Sequence, residues 1–114
     1  MGELARERCH ACTKETPTLS QDETRGLLAE LDGAWTVKDG QLRRCFAFPN
    51  FAAAFTLATR AALLAEREGH HPGLKVGWGY LEVELTTHAA GGLTRNDFIM
   101  AAKLDRAAPA TSGS

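Results

Sequence analysis

The stretch WTVKDGQLRRCFAFPN, residues 35–50, decides the fold. Two segments rich in aromatic and alternating residues, 35–38 and 42–48, flank Asp39 and Gly40. An Asp-Gly pair in that setting marks a two-residue hairpin, because both central residues of a type I′ turn take positive φ. Strands joined so tightly run antiparallel. Pro49 ends the second strand, and Asn50 stands where a helix N-cap is wanted. Cys45, inside the apolar run, reads as a small core residue.

Downstream, FAAAFTLATRAALLAERE (51–68) is built from strong helix formers, with Phe51, Phe55, Ala58, Ala62 and Ala65 at helical spacing. An alanine-rich face lets this helix lie close to a sheet, Gly69 suits a left-handed C-cap, and Pro72 forbids continuation. A short strand is possible at 74–78. Residues 80–88 alternate, with Leu81, Val83 and Leu85 facing one way and Tyr80, Glu82, Glu84, Thr86 and His88 the other. After a loop at 89–92, Thr94 and Asp97 form a capping box with Leu93 and Phe98 as a hydrophobic staple, which predicts a helix over 95–106.

Upstream, Ser20 and Glu23 form another capping box and open a helix over 21–31, with Leu27, Leu28 and Leu31 inward and Gly33 past its end. Residues 1–18 have no sustained apolar period and read as a flexible arm, and 107–114 read as a disordered tail. The ordered domain is therefore 19–106. A tight hairpin plus helices of this length gives an α+β layer: helices packed on one face of a small antiparallel sheet. Its other face is left for solvent, a ligand or a second subunit.

A length of 114 residues fits one domain, and 44% hydrophobic with 24% charged residues is an ordinary globular balance. Thirteen Lys and Arg against fourteen Asp and Glu give a net charge of -1. That balance lacks the footprint of a nucleic-acid or anionic-membrane binder. No apolar run reaches the roughly 18 residues that span a bilayer, and MGELARERC lacks the apolar core of a signal peptide. A cytoplasmic protein with three reduced cysteines is the expectation.

Three of the four histidines, His70, His71 and His88, lie at the end of the long helix and the end of the alternating strand, two breaks that can meet at one sheet edge. Imidazole titrates at about 6.5 when unperturbed, so such a cluster can give and take protons near neutrality, with a bell-shaped rate profile. On the residues alone, polar loop histidines with ordinary backbone hydrogen bonds are the leading reading. On the same footing Glu66 reads first as part of a solvated helix face, and Asp97 as a capping residue. Neighbours in extended backbone point apart, so His70 and His71 do not chelate one metal ion together. Cys9, His10 and Cys12 make a single CHAC segment, half of what a structural zinc site needs, and read as part of an unliganded arm. No phosphate loop, HExxH motif or Ser-His-Asp order is present.

Glu66, three residues, His70-His71-Pro72, five residues, Trp78, nine residues, His88, eight residues, Asp97: this spacing resembles the signature of the pterin-4a-carbinolamine dehydratases, also called 4a-hydroxytetrahydrobiopterin dehydratases. The segment LTTHAAGGLTRNDFIMAAKLD is similar to the end of bacterial members, and the likeness covers about residues 19–106. The resemblance implies a four-stranded antiparallel sheet with helices on one side, and homodimers or homotetramers. It implies loss of water from a 4a-hydroxytetrahydropterin to give the quinonoid dihydropterin, in tetrahydrobiopterin recycling, without metal or other cofactor. By the same likeness His70 and His88 are the acid/base pair, their roles interchangeable, and His71 orients the pterin. Asp97 fixes a histidine, Glu66 supports the pocket, Thr86 and Thr87 offer backbone groups to the pterin edge, and Trp78 walls the site or packs the core. Gly69 and Leu74 depart from the Asp and the aromatic residue that many members carry there, which bears on affinity and stacking. Members of this fold also serve as transcription coactivators or assembly factors without catalysis, which is the alternative function. Dehydration beside molybdopterin metabolism is a third.

Overall fold

The computed structural model describes residues 3–109. A 3₁₀ turn at Leu4–Arg6 precedes α1 (Gln21–Leu28), β1 (Thr36–Lys38), β2 (Gln41–Ala47), α2 (Phe51–Glu68), β3 (Gly73–Gly77), β4 (Tyr80–Leu85) and α3 (Arg95–Ala107). The strands form one sheet in the order β1-β2-β4-β3, antiparallel throughout. Asp39 and Gly40 at the first hairpin take φ of 53° and 73°, as the turn type requires. Ser20 caps α1 with a reciprocal Glu23 bond, Asn50 caps α2, and Gly69 closes α2 in the left-handed conformation.

The core lies between sheet and helices. Leu42 and Phe46 of β2 and Leu81, Val83 and Leu85 of β4 meet Leu57, Ala61 and Ala65 of α2 and Phe98, Ile99, Met100 and Leu104 of α3. Trp35 packs edge-on against Phe46 and donates its indole N–H to Asp105 at 2.9 Å. The Arg44 guanidinium lies 4.1 Å from the centre of the Phe46 ring and 2.8 Å from the same carboxylate. Burial pushes the Asp105 carboxyl up from its ordinary value, against the opposing pull of Trp35 and Arg44.

Several expectations are corrected. Of the expected arm, residues 3–18 are not simply outside the core: Leu4 is 2% exposed within it. One turn carrying a Leu-Ala pair has too little length to show a period, and its burial depends on α3, nearly a hundred residues away. Lys103 donates to the Ala5 carbonyl at 2.8 Å, and Arg95 makes a two-pronged pair with Glu7. The face of α2 is also rotated from the expected one. Ala54, Leu57, Ala58, Ala61 and Ala65 are buried, whereas Phe51 and Phe55 stack on each other in solvent and Ala62 is exposed. Cys45 is exposed, because strand alternation sends Leu42 and Phe46 inward and leaves Cys45 opposite Glu82 on the open face. Helix α1 stops at Leu28, and single 3₁₀-type bonds continue the chain to Leu31. Ala107 belongs to α3, and the expected tail at 110–114 lies outside the described residues.

In the β3–β4 turn, a Cβ built on Gly77 would stand 2.5 Å from the Tyr80 ring. Gly77→Ala is expected to destabilise by about 1–3 kcal/mol through this overlap, read as a lower urea midpoint with unchanged m-value. The docked arm has its own pH dependence. Burial raises the Glu68 carboxyl, but the Cys9 N–H at 2.9 Å, with Lys103 and Arg8 nearby, hold it below its ordinary 4.5 on balance. Its contribution is therefore present above that value and lost as pH falls through the lower folded value. Protection of the Cys9 amide from hydrogen exchange, corrected for intrinsic rate, is expected to fall in that acid range, and to be low at neutral pH in Glu68→Ala.

Candidate active site

Asp97 is 0% exposed in the first turn of α3. A carboxylate only accepts hydrogen bonds, and a buried one needs donors around it. Oδ2 accepts from the Thr94 backbone N–H at 2.9 Å and from the Thr87 hydroxyl at 2.8 Å. With its proton so directed, Thr87 Oγ1 accepts from the Thr94 hydroxyl at 2.8 Å, forming a short relay into the carboxylate. Oδ1 accepts from His70 Nε2 at 2.6 Å. This bond places the proton on Nε2 of a neutral His70 and leaves Nδ1 to act on something else.

His70 stands in the four-residue connection between α2 and β3, bounded by Gly69 at φ 68° and by Pro72. Both restrict the connection, and the His70 side chain is 10% exposed. His71 points elsewhere, as expected for a neighbour in extended chain: its Nε2 lies 2.7 Å from Glu66 Oε2, with both side chains largely in solvent. His88 is exposed in the turn that follows Thr87, and that turn is closed by the Thr87–Gly92 bridge. Gly73 pairs with Glu84, so His70 and His71, just before β3, and His88, just after β4, flank the same end of that strand pair.

The structure thus joins His70 to Asp97 and His71 to Glu66, and brings His88, Thr86 and Thr87 to the same sheet end. Trp78 is not among them. It is exposed in the β3–β4 turn at the opposite end, on the order of 13 Å along β3 by strand rise alone. Sequence spacing showed Trp78 between the histidines, but a strand carries it away from them, so it neither walls this site within one chain nor packs the core. Thr87 is also placed differently from expectation. Its hydroxyl serves Asp97 and its backbone N–H and C=O are engaged by residues 90–92, so it supports the site from beneath. Thr86 bonds the Gly40 carbonyl at 2.9 Å.

Sequence reading missed Thr94 as a partner of Thr87, and Asn96. The Asn96 side chain accepts from the His10 N–H at 3.0 Å and donates to the His10 carbonyl at 2.6 Å, fixing the arm beside Asp97. The flanking Asp97 signal could have suggested an oriented helix start, but no local pattern links residues 10 and 96. An apolar hollow of about 460 Å³, lined in part by Leu19, Leu28, Val37, Gly40, Gly92 and Leu93, shares Gly40 with the Thr86 bond and Gly92 with the Thr87 bridge. Among the described residues no group of three or more His, Cys, Asp and Glu could hold a metal ion, and no helix is long and apolar enough to cross a membrane.

The family model described as pterin 4 alpha carbinolamine dehydratase matches residues 17–107. A protein of Rickettsia canadensis named "Putative pterin-4-alpha-carbinolamine dehydratase" is 44% identical over 103 residues, covering 90% of this chain and 94% of its own length. A protein of the same name from Methylococcus capsulatus is 43% identical over 107 residues, covering 92% and 93%. Among solved structures, a transcriptional coactivator/pterin dehydratase from Brucella melitensis superposes with a TM-score of 0.76 at 34% identity, covering 81% of this chain and 99% of that one.

Thr87→Val removes a donor to a buried carboxylate while keeping the side-chain shape. It is expected to cost about 1.5–3 kcal/mol in urea unfolding at neutral pH. A change within about 0.5 kcal/mol, the range of a neutral surface substitution, would show that Asp97 does not depend on this hydroxyl.

Proposed function

Because the chain belongs to the pterin 4 alpha carbinolamine dehydratase family, we propose that it dehydrates a 4a-hydroxytetrahydropterin to the quinonoid dihydropterin, in the recycling of tetrahydrobiopterin. The observation that carries this reading is the contact at 2.6 Å between a part-buried His70 and the buried Asp97. The C4a hydroxyl leaves as water once an imidazolium protonates it. A neutral imidazole takes the N5 proton, and the N5 electron pair closes the C4a=N5 double bond. His70 and His88 carry these two transfers, in either assignment. Asp97 keeps the His70 ring in one tautomer and orientation, with Thr87 and Thr94 holding the carboxylate. His71, steadied by Glu66, orients the pterin, and Thr86 meets its polar edge. No metal or redox cofactor enters this scheme.

The protein works in this reading as a cytoplasmic homodimer or homotetramer. Three unpaired thiols fit a reducing compartment, and the solvent-exposed Phe51 and Phe55 on α2 fit a subunit contact. The same exposed apolar residues favour a second reading, a protein-binding role like that of a coactivator. A stoichiometric partner that co-purifies equally with wild type and His70→Ala, from a protein without dehydratase activity, would favour it.

Stopped-flow absorbance of carbinolamine loss tests the first reading. Wild type is expected to accelerate the reaction, with losses of about 10²–10⁴-fold in folded His70→Ala and His88→Ala. A folded wild-type protein that accelerates none of several 4a-hydroxytetrahydropterins would overturn it.

A further inference from the structure

A second cleft, of about 520 Å³, lies along α2 and α3 where the arm crosses them, and its lining includes none of the residues assigned to dehydration. Five cations border it: Arg8 from the arm, Arg60 and Arg67 from α2, and Lys103 and Arg106 from α3. Glu68 is the sole carboxylate in the lining. Its oxygens already accept from the Cys9 N–H and face Arg8 at 3.3 Å and Lys103 at 3.8 Å.

The remaining three guanidiniums have no ion pair among the described residues; outside the cleft Arg6 is likewise unpaired, whereas Arg25, Arg43, Arg44 and Arg95 each have a carboxylate partner. Arg60 donates to the Ala107 carbonyl at 2.7 Å, which fixes its head at the edge of the cleft without neutralising it. Arg67 and Arg106 each lie in the last turn of a helix, where a cation is favoured by the helix dipole. That preference accounts for each residue singly. It does not account for their convergence, in a chain of net charge -1, on one concave surface.

Like charges gathered without counter-charge repel one another, and an anion between them relieves the repulsion. Planar guanidiniums match phosphate oxygens in two-pronged geometry. The cleft falls within the roughly 300–1,000 Å³ range of small-molecule sites. Leu63, 65% exposed, and Leu64 supply an apolar surface between the cations.

From this arrangement we propose that the cleft binds a small phosphate-bearing molecule, its phosphate between Arg67 and Arg106 and its apolar body on the two leucines. Calorimetric titration of the full chain with pyrophosphate and with 1-naphthyl phosphate, at constant ionic strength, tests it. Saturable binding of 1-naphthyl phosphate at one site per chain is expected, tighter than that of pyrophosphate. It should weaken by at least about tenfold, a change of roughly 1.4 kcal/mol, in folded Arg67→Ala/Arg106→Ala. Should that double variant fail to fold, Arg67→Gln and Arg106→Gln are used singly, each with a measurable loss expected. No saturable binding of either probe, or binding unchanged in the variants, would overturn the proposal. Binding to phosphatidylglycerol vesicles without binding of the soluble phosphates would overturn it in favour of a lipid surface.

Discussion

A single buried carboxylate ties the architecture to the chemistry. Asp97 takes donors from three places in the chain: His70 after α2, Thr87 after β4, and Thr94 at the start of its own helix. Leaving any one of these unmade would leave a buried carboxylate short of a donor, at a cost of about 1.5–3 kcal/mol against a net stability of about 5–15 kcal/mol. The helix end, the strand end and the helix start are therefore held in one mutual arrangement. The His70 imidazole is positioned by the same bonds that close the core at this corner.

The opposite corner is organised by a second polar cluster. Arg44 lies against Phe46 and reaches Asp105, which Trp35 also contacts, so the first hairpin is fixed to the far end of α3. With Asp97 near the start of α3 and Asp105 near its end, this helix is attached to the sheet at both ends by carboxylates. The apolar run from Phe98 to Leu104 packs between those two points. The sheet itself is covered on one face, and its open face carries Arg43, Cys45, Glu82 and Glu84, with Arg43 and Glu84 3.7 Å apart.

Features governed by neighbours in sequence were legible without coordinates. The Asp39-Gly40 turn, both bounds of α2, its Gly69 cap and the alternation of β4 each follow from a local rule. Features governed by distant partners were not. The exposure of Cys45 and the rotation of α2 depend on which face the sheet turns inward, and the burial of Leu4 depends on α3. Trp78 was misread because nine residues of sequence can fold back or run on, and a strand runs on. Asp97 is the instructive residue: capping and histidine orientation looked like rival roles, yet one carboxylate has two oxygens, and each role uses its own. The histidines were recognised through the family pattern, while their separation into a part-buried pair and an exposed pair came from the way His70 and His71 face in opposite directions.

The Asn96 clasp on His10 bears on the order in which the molecule assembles. Its two hydrogen bonds span 86 residues, a closure of high contact order, so the backbone between them has to be largely in place before they form. During synthesis, residue 10 leaves the ribosome long before residue 96 is made, and waits without its partner. Docking of the arm thus cannot precede synthesis of α3. The wall of the site next to Asp97 is therefore assembled from the two ends of the domain, and it forms only once α3 has been made.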